Sequence, residues 1–261
     1  MFSKFDLRPW LPALLVILCL ANIGFLLFIT IVFYPIYIHS DAAAAPLLAE
    51  EIIRSGQLFP DGWYFVNSDV WIINRHLLIL PFVWLLGQGY AAYLAMQATF
   101  IALLAAAAVY ALRPFLHRPL HIFVAVSFLA VPFSRHFLFH IYGEIAYGPI
   151  LLVMILLVGL IARAAKADTL LNWHILALFV LSFLVAASSP PRFAGYLLLP
   201  TIVMFILMFG ARQRWISVLG AMVIATVLAR VWNAELLSDL YRSARGSSYA
   251  LVPFNELHEE L

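Results

Sequence analysis

Residues 89–112 read GYAAYLAMQATFIALLAAAAVYAL, an apolar stretch without a single Asp, Glu, Lys or Arg. A helix needs about 20 predominantly apolar residues to cross the hydrocarbon core of a bilayer. The stretch is therefore predicted to be a membrane-spanning helix. Gly87 precedes it, Gly89 begins it, and Arg113 and Pro114 follow it; Gly and Pro commonly interrupt helices.

Six further apolar stretches flank this one along the chain. They cover residues 10–34, 119–134, 145–162, 172–188, 193–210 and 215–231. The 261-residue sequence is 65% hydrophobic and 11% charged, with a mean hydropathy of +1.01, whereas soluble domains carry roughly 25% charged residues. The sequence thus predicts an all-α fold, a polytopic transmembrane bundle of about seven helices within residues 1–231. Residues 232–261 would form an outer-facing C-terminal segment, on the non-cytoplasmic side.

The charge distribution excludes several other classes of protein. The formal net charge is +2, and the basic residues stand at the ends of the apolar stretches, so nucleic acid is not an expected partner. The single cysteine, Cys19, lies inside the first apolar stretch and excludes an intramolecular disulfide. That stretch is longer than a signal-peptide core and lacks a small-x-small cleavage site, which predicts an uncleaved membrane anchor.

A pair of basic residues stands before the first predicted helix and in every second connection after it. The pairs are Lys4 and Arg8, Arg113 and Arg118, Arg163 and Lys166, and Arg212 and Arg214. Cytoplasmic loops are enriched in Lys and Arg, so the N-terminus is predicted to be cytoplasmic. Of the 13 acidic residues, Asp6 and Asp168 alone would then face the cytoplasm. We expect an integral protein of a bacterial inner membrane, with its functional site on the outer, periplasmic side.

The first outer loop, about residues 38–76, is the longest connection between the predicted helices and therefore the favoured carrier of function. Ser40 and Asp41 can cap an amphipathic surface helix from Ala42 to Ser55, ended by Gly56, with Pro46 strained unless the helix begins late or is kinked. An aromatic turn follows at residues 59–65, FPDGWYF. The next apolar piece, residues 77–86, is too short to span and is expected to skim or re-enter the outer leaflet.

Motifs of soluble enzymes, such as a phosphate-binding loop or HExxH, are absent, so candidate site residues come from their position at the outer surface. Asp41 is either a helix cap or a general base and metal ligand. Glu144 is either stabilised by a helix dipole or acts with Asp41 on a divalent ion such as Mg²⁺ or Mn²⁺. Arg192 either snorkels to the interface or binds a phosphate group of a lipid.

Other residues of the same surface are candidate contacts for an acceptor or a sugar, although aromatic and histidine side chains also serve as interfacial anchors. They are His39, Trp63, Tyr64, Arg75, His76, Arg135, His136 and His140. We expect the carboxylates of Asp41 and Glu144 and the guanidinium of Arg192 to line one cavity within about 15 Å, set by the ~10 Å diameter of neighbouring helices.

The order of these features resembles the N-terminal module of the C-type (GT-C) glycosyltransferases, over about residues 10–210. The stretch HSDAAAAPLLAEEIIRSGQLFP, residues 39–60, is similar to that family's acidic residue, surface helix and Gly-x-x-(Tyr/Phe)-Pro-like turn. NRHLLILPFVWLLGQGYAAYLAMQATFIALLAAAAVYALRPFL, residues 74–116, resembles its apolar surface segment, Gly break and second helix. SSPPRFAGYLLLP, residues 188–200, resembles the turn that supplies a basic residue to the lipid phosphate.

The resemblance implies a membrane glycosyltransferase that moves a sugar from a polyprenyl-phosphate-type lipid to an acceptor. Asp41 and Glu144 would then be catalytic and Arg192 would bind the donor phosphate. Membrane lipids are expected partners, together with either a partner subunit or a further C-terminal portion. The alternative is a non-catalytic membrane subunit or scaffold that binds a lipid headgroup. A transporter is disfavoured, because ionisable groups are absent from the centres of the predicted helices.

Overall fold

The structure is a computed structural model, and it describes residues 10–33, 40–61, 63–65, 75–131, 134, 137–143, 147–167, 169, 172–188, 193–207, 212–232 and 242–243. The α-helices within these residues are α1 (Leu11–Phe28), α2 (Ser40–Ser55), α3 (Arg75–Leu86), α4 (Tyr90–Leu112), α5 (Pro119–Leu129), α6 (Gly148–Ala164), α7 (Trp173–Ser188), α8 (Leu199–Leu207) and α9 (Arg212–Trp232). Short π-helical segments cover Ile29–Phe33, Leu138–Gly143 and Ala194–Leu198.

The helical fold predicted from hydropathy is confirmed. Three helices are long and apolar enough to cross a membrane: Leu11–Val32, Tyr90–Leu112 and Trp215–Trp232, with mean hydropathies of 2.8, 1.9 and 1.8. The other four predicted spans are also helical, but within the described residues they form apolar helices of 10–17 residues. Membrane association is therefore supported by three helices, and the predicted count of seven spans exceeds that number.

Hydrogen bonds between helix ends show which ends lie together. Lys166 at the end of α6 donates from Nζ to the Pro114 carbonyl after α4, at 2.7 Å. We call this the basic end, because Arg113 and Arg163 also lie there. At the opposite end, the Tyr90 hydroxyl donates to the Ile31 carbonyl at 2.6 Å, so α1 ends where α4 begins. The α2 and α3 helices lie at this second end, which we call the α2 end.

Two apolar cores hold the helices together. The first is formed mainly by α6, α7 and α9 and includes Leu157, Leu178 and Met222, each without exposed surface. The second joins α1, α2, α3, α4 and the π-helical segment Leu138–Gly143. Many large apolar side chains remain outside both cores, and Leu207 for example is 70% exposed. Such a surface is compatible with lipid as the surrounding solvent.

Residues 64–65 and 242–243 form a small element of extended structure, β1 (Tyr64–Phe65) and β2 (Arg242–Ser243). The two strands are parallel, and Tyr64 pairs with Arg242. This pairing joins the loop after α2 to the segment that follows α9.

Candidate functional site

The α2 helix packs by its apolar face against the bundle. Its residues Ala45, Leu48, Ala49 and Ile52 follow one another at helical spacing and are all buried. The helix contacts α3 and joins the second core together with α4. The apolar side of the predicted surface helix therefore faces protein, whereas the Leu47 side chain is exposed.

The ends of α2 test the boundaries predicted from the sequence. The helix ends at Ser55, and Gly56 follows with a φ of 70°, a left-handed conformation that glycine adopts without strain. The prediction for this end is confirmed. At the other end, the helix begins at Ser40 rather than at Ala42 and runs through Pro46. Pro46 has no backbone N–H, so the i−4 carbonyl lacks its usual helical donor.

The charged side of α2 carries a local ion pair. The Arg54 guanidinium donates from Nε and Nη2 to the two carboxylate oxygens of Glu51, at 2.9 and 2.8 Å. This hydrogen bond to Arg54 lowers the pKa of the Glu51 carboxyl below its usual value. The neighbouring Glu50 accepts a hydrogen bond from the Gln88 side chain, next to the glycines that separate α3 from α4. These two acids thus stabilise the surface of the α2 end.

His76 lies in the first turn of α3 and is 4% exposed. Burial lowers the pKa of its imidazole to about 4, and the adjacent Arg75 contributes in the same direction. The ring is therefore neutral at pH 7. His76 was predicted as a candidate contact for an acceptor or a sugar; its side chain is enclosed by protein, and a role in binding stays a prediction.

The π-helical segment before Glu144 is fixed by polar side chains of α4. Gln97 donates from Nε2 to the carbonyls of Tyr142 and Gly143, at 3.3 and 3.2 Å. The Tyr93 hydroxyl donates to the same Gly143 carbonyl at 3.3 Å. The path of the chain immediately before Glu144 is therefore set by α4.

Tyr142 anchors this segment from the other side. Its ring is buried and contacts Phe100 and Phe137 edge to face, while its hydroxyl donates to the Leu129 carbonyl at the end of α5. Burial raises the pKa of this hydroxyl above the usual value for tyrosine. Tyr142 therefore remains protonated and can donate this hydrogen bond.

Tyr93, Gln97 and Tyr142 were not predicted as site residues from the sequence. Gln97 is 1% exposed, and its Oε1 accepts no hydrogen bond from the residues that the structure describes. A buried amide normally satisfies its acceptor, which makes this oxygen unusual. Gln97 could have been selected from the sequence, because its strongly polar side chain interrupts the apolar run of α4.

The backbone of Asp41 lies in the first turn of α2, one turn before the buried Ala45. Ala45 belongs to the same apolar core as Tyr142, which precedes Glu144 by two residues. Phe193, which follows Arg192, belongs to the other core. Glu144 and Arg192 themselves lie outside the described residues, as do His39, Arg135 and His136. The convergence of Asp41, Glu144 and Arg192 therefore stays a prediction.

The candidate contact residues that the structure describes have distinct surroundings. Trp63 is half-buried against Leu48 and Ile52 of α2, so part of its ring anchors the aromatic turn. His140 lies half-buried in the π-helical segment, with its ring 5.7 Å from that of Tyr147. Both side chains lie at the α2 end, and sugar binding by either stays a prediction.

The described residues contain no group of three or more His, Cys, Asp or Glu side chains that could hold a metal ion. The predicted ligand pair, Asp41 and Glu144, is not tested by this result because Glu144 is not described. A divalent cation at this pair therefore stays a prediction.

Comparisons with known proteins do not assign the chain to a family. No protein-family model matches it, and neither a curated protein nor a solved structure is similar to it at a significant level.

Proposed function

We propose that the chain is a membrane glycosyltransferase that transfers a sugar from a polyprenyl-phosphate-type lipid to an acceptor at the α2 end. The observation that carries the proposal is the common packing of two segments. The helix that begins beside Asp41 and the segment that ends beside Glu144 belong to one apolar core, through Ala45 and Tyr142. This common core supports the proposal that Asp41 and Glu144 lie at the same end of the bundle.

The proposal includes seven membrane crossings, with the α2 end on the periplasmic side of a bacterial inner membrane. The lateral contacts support this arrangement, because α6, α7 and α9 pack as neighbours in one core although α6 and α7 are shorter than α9. Shorter helices can be accommodated by local thinning of the bilayer. In this orientation α2 and α3 lie on the outer surface, where a lipid-linked sugar and a water-soluble acceptor can meet.

The proposed reaction is a single displacement at the anomeric carbon of the sugar. The Asp41 carboxylate takes the proton of an acceptor hydroxyl, and the acceptor oxygen forms a bond to the anomeric carbon. The bond from that carbon to the phosphate oxygen breaks, and polyprenyl phosphate leaves with the electron pair. Arg192 stabilises the charge that develops on the phosphate, and Glu144 orients the acceptor directly or through a divalent cation.

The first prediction is that Asp41→Asn abolishes transfer while the protein remains folded. Asn removes the proton acceptor but is nearly the same size as Asp, so the first turn of α2, in which Asp41 lies, should be preserved. The measurement is sugar transfer by the purified full chain from polyprenyl-phosphate-linked sugars to a panel of acceptors. Asp61→Asn is the matched control, because Asp61 is exposed and lies in the same first outer loop.

Arg192→Ala should mainly weaken use of the lipid-linked donor, and Arg192→Lys should keep part of that use because it retains the positive charge.

Wild-type transfer by a folded Asp41→Asn protein would leave Asp41 as a residue of the first turn of α2 without a catalytic role, and would contradict the mechanism. The alternative function is a non-catalytic subunit that binds a lipid headgroup or scaffolds another enzyme. It is favoured if the wild-type chain binds the lipid-linked donor but transfers no sugar to any acceptor. Binding without transfer that is lost in Arg192→Ala would identify that second function.

A further inference from the structure

A groove of about 510 Å³ lies at the basic end between α4 and α5. Its apolar walls are formed by Val109 of α4 and by Ile122, Phe123 and Val126 of α5, and Arg113 and His117 lie at its mouth. Ligand pockets in proteins commonly enclose about 300–1,000 Å³. The groove is thus large enough for part of an amphiphilic molecule.

The mouth of the groove is positively charged. Residues 113–121, RPFLHRPLH, contain two arginines and no acid. The Arg113 and His117 side chains are exposed, and no described residue forms an ion pair with either of them. The Lys166 ammonium lies against the Pro114 carbonyl beside this turn and adds a further positive charge. An anion at the mouth would therefore be attracted chiefly by the Arg113 guanidinium, which lines the groove.

The groove lies at the level expected for the surface of a membrane. Arg113 follows directly on α4, which is one of the three helices able to span a bilayer. From Pro119 to Val126 the groove follows α5 over seven residue steps, or about 10 Å at 1.5 Å per step. Its polar mouth would therefore lie at headgroup level and its apolar walls at the level of the acyl chains.

We propose that this groove binds an anionic phospholipid, with the phosphate at Arg113 and His117 and an acyl chain along Val109, Phe123 and Val126. Basic pockets between membrane helices favour anionic headgroups, because the charge at the headgroup level attracts the phosphate. A free phosphate ion would leave the apolar walls without a partner. A zwitterionic lipid would fill those walls and leave the positive charge of the mouth uncompensated.

The test measures lipid binding to the purified full chain in detergent by native mass spectrometry. Dioleoylphosphatidylglycerol should bind more tightly than dioleoylphosphatidylcholine. Arg113→Gln should weaken binding of phosphatidylglycerol by about five-fold, as expected for one basic side chain near a headgroup. Arg118→Gln is the matched control, because it removes the same charge from the same turn but does not line the groove.

Two further measurements distinguish binding of the whole lipid from binding of other ligands. Val126→Trp fills the apolar part of the groove and should weaken binding of phosphatidylglycerol while Arg113 remains in place. Glycerol phosphate, which carries the headgroup charge without chains, should not compete with the lipid. Equal binding of both lipids, an equal effect of Arg113→Gln and Arg118→Gln, unchanged binding in Val126→Trp, or full competition by glycerol phosphate would each overturn the proposal.

Discussion

At the scale of single residues, a glycine forms a close contact between α4 and α6. A Cβ atom built on Gly159 of α6 would lie 2.7 Å from Tyr110 Cδ1 and 3.0 Å from the Ala111 Cα of α4. Arg163 covers the other side of the Tyr110 ring, with Cζ 3.6 Å from the ring centroid, and donates to the Gly159 carbonyl at 2.9 Å. The absence of a side chain at Gly159 is therefore what allows α4 and α6 to approach.

We predict that Gly159→Ala destabilises the protein by about 1–3 kcal/mol, the usual cost of overfilling a packed site. The measurement is the midpoint of unfolding in detergent. Gly220→Ala is the matched control, because a Cβ at Gly220 of α9 meets nothing within 4 Å. This control should be neutral or slightly stabilising, since Ala is the better helix former. Equal midpoints for the two variants would contradict the close contact at Gly159.

At the scale of elements, α1 is joined to α5 by a polar contact inside the bundle. The Cys19 thiol donates to the Ser127 hydroxyl at 2.9 Å, and that hydroxyl donates in turn to the Val124 carbonyl at 2.7 Å. Both side chains are 4% exposed. Hydrogen bonds between membrane helices contribute about 0.6 kcal/mol on average, so this contact specifies which helices are neighbours more than it stabilises them.

The closeness of Cys19 and Ser127 predicts a disulfide in Ser127→Cys after mild oxidation. Two cysteines can be bridged only where their backbones approach within about 7 Å, which a 2.9 Å contact between side-chain atoms allows. The measurement is the loss of maleimide labelling in denaturant, with recovery after reduction. Ser182→Cys is the control, because Ser182 is equally buried but lies on α7 in the other core. Persistent maleimide labelling of oxidised Ser127→Cys would contradict the contact between α1 and α5.

At the scale of the whole molecule, the two ends of the bundle carry different charged side chains. The basic end carries Arg113, Arg163 and Lys166, whose turns meet in the hydrogen bond from Lys166 to the Pro114 carbonyl. The α2 end carries Glu50 and Glu51 and the segment before Glu144. The proposed lipid groove and the proposed transferase site therefore lie on opposite sides of the membrane.

We predict that Thr169→Cys, in a Cys19→Ala background, reacts with an impermeant maleimide only after the cells are permeabilised. Asp61→Cys in the same background should react in intact cells. Both positions are exposed, and they lie at the basic end and the α2 end respectively. The reason is the preference of basic turns for the cytoplasm. The reverse labelling pattern would invert the proposed orientation.

The sequence by itself determined the helical elements. Hydropathy marked the stretches that become α1, α4 and α9, and it also marked the shorter apolar helices, because burial in lipid depends on the composition of each segment alone. The end of α2 followed from Gly56, since a left-handed residue is a local requirement. For the candidate site, position along the chain suggested Asp41 and Glu144, and their convergence within about 15 Å stays a prediction.

Only the tertiary structure decided which side chains meet. The enclosure of His76, the hold of Gln97 on the Tyr142 and Gly143 carbonyls, and the contact of Gly159 with Tyr110 each depend on residues far apart in sequence. In a chain this apolar, hydrophobicity identifies segments but does not distinguish one helix face from another, because lipid and protein are similar solvents for Leu or Phe. Packing and interhelical hydrogen bonds make that distinction, and they exist only once the helices have assembled.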